Sequence, residues 1–130
     1  MKKIVALCST LFLALAAFAA SATVADISQT ELTAAIAAKS AVILDVNGSD
    51  SYKAGHIPGA IDYIAHKDQL ASLLPANKSA LVVAYCASPS CHAYAMAADA
   101  AVKLGYTNVK HFAPGIAGWK KSGAPTEKGS

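Results

Sequence analysis

The chain predicts an α/β fold: a mostly parallel central sheet with helices on both of its faces. Two observations carry the prediction. The runs Ala41–Val46 and Ala80–Tyr85 are short and apolar on both alternating faces, the pattern of strands buried from two sides. Stretches of helical period separate the strand-like runs. That alternation implies right-handed crossovers, which place successive strands parallel with helices above and below.

Element by element, Ser28-Gln-Thr-Glu31 has the spacing of a capping box. Leu32, Ala35, Ile36 and Ala38 continue from it at helical period. The strand Ala41–Val46 ends at the turn-forming pair Asn47-Gly48. A short helix is expected around Ser51–Ala54, before Gly55-His-Ile-Pro-Gly-Ala60, then a strand near Ala60–Ile64. A helix over about Lys67–Leu74 is stopped by Pro75. The strand Ala80–Tyr85 leads into Cys86-Ala-Ser-Pro-Ser-Cys91-His92. Ala93, Met96, Ala97, Ala100, Ala101 and Leu104 then mark a long helix ending before Gly105. Val109–Phe112 is the last strand, and Pro114-Gly115 turns into a short helix carrying Trp119.

The first residues read as a secretory signal. Lys2 and Lys3 form a basic start, Ile4 to Ala17 an apolar core, and Ala20-Ser-Ala22 a small-residue cleavage site. Residues 1–22 are therefore expected to be a leader, and 23–130 one domain, periplasmic or secreted, with no stable membrane association after cleavage. Losing Lys2 and Lys3 leaves nine lysines against eight acidic residues, so the basic balance partly belongs to the leader. With no lysine stripe and no interleaved aromatics, nucleic acid is not an expected partner. No arginine occurs anywhere in the chain.

Cys86 and Cys91 are the cysteines that remain, and they share one loop instead of being scattered as a disulfide framework would scatter them. Reactive or redox use is the expectation. Ligands of parallel sheets bind at the carboxyl ends of the strands, where Asp45 and Cys86 both stand. A thiol between a strand exit and a helix start meets loop N–H groups and the positive end of a helix dipole. Both favour the thiolate.

These residues resemble the rhodanese, or sulfurtransferase, family. Ile43-Leu-Asp45-Val46 with Gly55-His-Ile-Pro-Gly-Ala60 is similar to its first signature. Tyr85-Cys86, Ala97-Ala98 and Leu104-Gly105-Tyr106 resemble its active-site strand and helix, and Gly115, Trp119, Gly123 and Pro125 its closing motif. The resemblance covers roughly residues 26–125 and implies a rhodanese-like sheet of about five strands. Two departures stand out. Asn47 replaces the arginine usual after Asp-Val, and Cys86-Ala-Ser-Pro-Ser-Cys91-His92 replaces Cys-x-x-Gly-x-Arg-Ser, enlarging the loop and removing its cation.

The resemblance implies that Cys86 is the nucleophile of a thiosulfate or polysulfide sulfurtransferase. Its thiolate would take the outer sulfur of the donor and hold it as a persulfide, then pass it to a thiol or cyanide. Ala87, Ser88, Pro89, Ser90, Cys91 and His92 form the substrate and persulfide loop, whose N–H groups would hold the anion. Asp45 is expected to order the loop by accepting backbone N–H bonds. Cys91 has two open readings: a resolving thiol that closes a disulfide with Cys86, or a first-turn residue without chemistry. His92 is expected to begin the helix, either exposed or assisting an anion. His56 is expected to pack and hydrogen-bond within its Pro-Gly turn, and His66 and His111 to be surface or satisfied residues. No metal and no cofactor are expected. The expected partners are a small sulfur-containing anion and a thiol acceptor, with a monomer as the default.

Other classes fit less well. A phosphatase loop needs an arginine fork for its phosphate dianion, and the equivalent position here is His92. Cys86-x-x-x-x-Cys91-His92 also matches a lengthened haem-attachment pattern, but a haem would displace the helix that follows. A non-catalytic persulfide carrier and a thiol–disulfide redox module remain the alternatives to the enzyme.

Overall fold

In the computed structural model, which describes residues 24–129, five strands lie in the order β1-β5-β4-β2-β3, every neighbouring pair parallel. They are β1 (Ala25–Asp26), β2 (Ala41–Asp45), β3 (Ile61–Asp62), β4 (Leu81–Tyr85) and β5 (Asn108–Phe112). The helices are α1 (Gln29–Ala37), α2 (Ser49–Ala54), α3 (Tyr63–His66), α4 (Leu70–Leu73), α5 (Tyr94–Lys103) and α6 (Gly115–Lys121). The expected leader, residues 1–22, lies outside the described residues.

The three longest strands, β2, β4 and β5, form the middle of the sheet, in register Ile43↔Val83↔Lys110 and Asp45↔Tyr85↔Phe112. Side chains alternate across it, because successive Cβ atoms of a strand point to opposite faces. Leu44, Val46, Val82, Ala84, Cys86 and Val109 pack with Tyr63, Leu70, Ala97, Ala98 and Ala101 beneath α3, α4 and α5. Ile43, Val83, Tyr85 and Phe112 pack with Leu32, Ile57 and Trp119 beneath α1 and α6. Both faces are covered, as the apolar runs predict. α5 meets the sheet through alanines, whose small side chains let helix and strands approach closely.

The capping box forms as read. Ser28 accepts from Glu31 N at 3.2 Å, and Glu31 accepts from Ser28 N at 2.9 Å. Several elements differ from expectation. The strand near Ala60–Ile64 is only Ile61–Asp62, because the Asp62 carboxylate accepts from Ala65 N at 3.2 Å and starts α3 there. The helix over Lys67–Leu74 resolves into a 3₁₀ turn, Lys67–Gln69, followed by α4. The edge strand β1 has no signature in the sequence; its two residues pair with Lys110 and His111.

Candidate active site

β4 is the central strand, and Cys86 is the first residue beyond its carboxyl end, 3 % exposed. Its side chain lies on the α5 face. Its sulfur is bonded to that of Cys91, with the two Cα atoms 6.0 Å apart. The loop between them is pinned at both ends. Ile116 N donates to Cys86 O and Ala117 N to Ala87 O, each at 3.0 Å, so the first turn of α6 grips the start of the loop. At the far end, Cys91 N donates to Ser88 O at 3.0 Å across a turn that contains Pro89.

Gly115 makes that grip possible. A Cβ built on it would lie 2.6 Å from Cys86 O and 2.8 Å from both Ala87 C and Ser88 N, and its φ is +64°. No side chain fits such a backbone-to-backbone approach. The sequence flags Gly115 only as part of a closing motif; its function is to seat the cysteine loop.

α5 begins at Tyr94 with Ala93 as its N-cap, later than expected. Cys91 is therefore not a first-turn residue, and exposed His92 lies outside the helix. Ala95 N donates to His92 O and Met96 N to Ala93 O, both at 3.1 Å. These are tight i→i−3 bonds, which carry the chain from the turn at Cys91 into the helix. Among the described residues, no protein acceptor takes the backbone N–H of Ala87, Ser88, Ser90, His92 or Ala93. The Ser88 and Ser90 hydroxyls lie 3.1 Å apart in the same loop.

Asp45 comes to the same end of the sheet but its side chain serves the opposite face. Its carboxylate accepts from Asn47 N at 2.8 Å and from the Tyr85 hydroxyl, which itself accepts from Ile57 N at 3.1 Å. Asp45 therefore orders the turn after its own strand and ties it to the Gly55–Ala60 turn, instead of ordering the Cys86 loop. The physical reason is strand alternation: Asp45 is opposite Tyr85, and Cys86, one residue on, points the other way. Burial raises the Asp45 pKa despite those hydrogen bonds, and burial followed by the Asp45 charge raises that of Tyr85. Tyr85 thus stays protonated and donates.

His56 packs as expected. It is 4 % exposed, its Nδ1 meets Tyr52 O at 2.8 Å, and its ring stacks on Tyr52 at 3.7 Å. His66 is exposed. His111 is buried, on β5 opposite Ala84, on the face that Cys86 shares two residues further along β4. Its ring stacks on Tyr94 at 3.4 Å and its Nδ1 lies 3.3 Å from Asp26 Oδ1. Burial pushes the His111 pKa down against the opposing pull of Asp26. Among the described residues, no group of three or more His, Cys, Asp or Glu is placed to hold a metal ion.

A paired-cysteine loop at the carboxyl end of the middle strand of a doubly covered parallel sheet defines an α/β protein with its candidate site centred on Cys86. Residues 28–122 match the rhodanese-like domain, and the chain belongs to that family. It is 34 % identical over 109 residues to the HTH-type transcriptional regulator Rv0324 of Mycobacterium tuberculosis, a match covering 80 % of this chain. The chain spans about half the length of that relative, 45 %. The BH2092 protein of Bacillus halodurans superposes with a TM-score of 0.63 at 25 % identity, covering 80 % of this chain and 77 % of that one. Thiosulfate sulfurtransferase from Pseudomonas aeruginosa superposes with a TM-score of 0.65 at 25 % identity, covering 82 % of this chain and 21 % of that one.

Proposed function

We propose that the protein is an exported sulfurtransferase in which reduced Cys86 carries the sulfur. The Cys86 thiolate attacks the outer sulfur of thiosulfate or a polysulfide. The bond between that sulfur and the rest of the donor breaks, sulfite or a shorter chain leaves with the electron pair, and a Cys86 persulfide remains. A thiol or cyanide then takes the outer sulfur and Cys86 leaves as thiolate. The observation that carries this reading is the position of Cys86 at the exit of β4 within a loop in which the N–H groups of Ala87, Ser88, Ser90 and His92 have no protein acceptor. Unpaired backbone donors in such a loop are available to stabilise an anionic persulfide and the charge that develops on transfer. Residues 87–92 are the loop that does so, and the match to a thiosulfate sulfurtransferase supports the chemistry.

The bond between Cys86 and Cys91 favours a second reading, a thiol–disulfide redox module. The oxidised form has no free nucleophile, so it transfers no sulfur until reduced. The basic, apolar and small-residue pattern of residues 1–22 supports export to an oxidising compartment, and closure of the pair is consistent with such a setting. We take it to act as a monomer on a small sulfur-containing anion and a thiol acceptor.

Intact-mass spectrometry of the reduced protein before and after thiosulfate or polysulfide tests the reading. One sulfur added on Cys86 and removed by cyanide is the expected result. Absence of any adduct, with Cys86→Ser behaving like the parent, would reject the enzyme.

A further inference from the structure

We propose that the domain reduces the sulfur it accepts and releases it as hydrosulfide, with Cys91 as the thiol that expels it and an external dithiol as the reductant. The proposal rests on the Cys86 persulfide reading and adds a product and a role for the second cysteine. The two sulfurs are within bonding reach in the folded loop, and the Cα separation of 6.0 Å lies in the normal disulfide span. The loop is held for that approach: Ile116 N and Ala117 N anchor its start, and the Cys91 N to Ser88 O bond closes its end. Nothing in the sheet has to move for Cys91 to reach Cys86.

In the first half-reaction the Cys91 thiolate attacks Sγ of the Cys86 persulfide. The Sγ–Sγ bond forms and the bond from Cys86 Sγ to the outer sulfur breaks. The outer sulfur leaves with the bonding pair and takes the proton that Cys91 gave up on becoming the thiolate, so it departs as hydrosulfide. Two electrons of the cysteine pair have passed to the transferred sulfur, and the Cys86–Cys91 disulfide is the oxidised product.

The second half-reaction restores the thiols. Cys86 is buried and Cys91 is half-buried, so an external thiolate meets the Cys91 sulfur. It bonds to Cys91 and Cys86 leaves as thiolate. The second thiol of the reductant then attacks its own sulfur in that mixed disulfide, freeing Cys91 and leaving the dithiol oxidised. A monothiol would have to supply two molecules for the same balance, which makes a dithiol the fitting partner.

The test is a single turnover. The protein is reduced, freed of reductant and mixed with thiosulfate or, separately, polysulfide. Sulfide, free thiols and the modified peptide are followed, with Cys86→Ser giving the background. We expect one sulfide per chain, loss of both thiols, a Cys86–Cys91 peptide, and further sulfide only when dithiothreitol is added. In Cys91→Ser and Cys91→Ala, whatever their loading rate, the added sulfur should stay on Cys86 and no sulfide should be released. A parent persulfide that persists as long as in Cys91→Ser, with Cys91 a free thiol, overturns this inference and leaves the sulfurtransferase reading standing. No sulfur on Cys86 in either protein overturns both.

Discussion

Gly115 and Cys86 meet backbone to backbone: a Cβ on Gly115 would stand 2.6 Å from the Cys86 carbonyl oxygen. The glycine also holds a φ of +64°, which a side chain disfavours. Gly115→Ala should therefore cost about 2–4 kcal/mol, combining the left-handed backbone with an overlap that only a shifted loop relieves. Denaturant unfolding would measure the loss. The same variant should load sulfur onto Cys86 more slowly than the parent even under conditions where it is fully folded, because the α6 grip on the loop is gone. Unchanged loading would separate the grip from the chemistry.

Tyr85→Phe deletes one hydroxyl that serves two buried groups, the Asp45 carboxylate and Ile57 N. Leaving Asp45 Oδ2 and Ile57 N without their partner should cost about 2–3 kcal/mol, since unsatisfied buried polar groups carry their desolvation penalty. Urea titration of the parent and variant gives the difference.

The pH dependence of stability should carry the mark of Asp45. Its native pKa is raised above the ordinary 3.8, so between these values the folded state binds more protons than the unfolded chain. Its contribution to stability is then greatest below the ordinary value and falls as pH rises towards the raised one. Asp45→Asn should remove that fall. Unfolding midpoints measured across the acid range, parent against variant, decide it; parallel profiles would mean that Asp45 does not titrate differently on folding.

His111 acts with the opposite sign. Its native pKa lies below the ordinary 6.5, so on acidification the unfolded chain takes up the proton first. Stability should drop as pH falls through 6.5 towards the lowered value and hold above it. Burial is the largest influence and lowers the pKa, the Asp26 carboxylate pulls it up, and the His92 imidazole pushes it down. Asp26→Asn should steepen the acid loss. NMR titration of the His111 ring would follow the proton directly.

Reduction of Cys86–Cys91 should lower stability by only about 2 kcal/mol, because the closed loop is short and little unfolded-state entropy is at stake. Both hydrophobic clusters lie largely outside the loop. The reduced domain should consequently stay folded, as sulfur transfer through a free Cys86 requires. Thermal unfolding with and without a phosphine reductant checks the figure.

Much of the fold is legible in local pattern. The strands read as Ala41–Val46 and Ala80–Tyr85 from their apolar continuity form as β2 and β4, α1 follows from Ser28 and Glu31, and the position of Cys86 from the strand that precedes it. Each depends on residues close in the chain, where propensity, capping and periodicity act directly. The helix after the loop is placed too early for a reason that is also physical. The alanines of 93–101 carry helical period, yet the turn at Ser88–Cys91 and the bond to Cys86 delay its start to Tyr94.

The sequence by itself determined the α/β class, the doubly buried strands and the cysteine at a strand exit, because these follow from short-range pattern and from the geometry of crossovers. Tertiary structure decided four things: that Ala25–Asp26 is a strand, that Gly115 seats the loop, that Asp45 and Cys86 part to opposite faces, and that Cys91 closes on Cys86. Each of these depends on where a partner sits, either far along the chain or across a turn of irregular shape. Two residues have no strand signal of their own until β5 offers them an edge. A glycine shows its purpose only when another backbone comes within van der Waals reach.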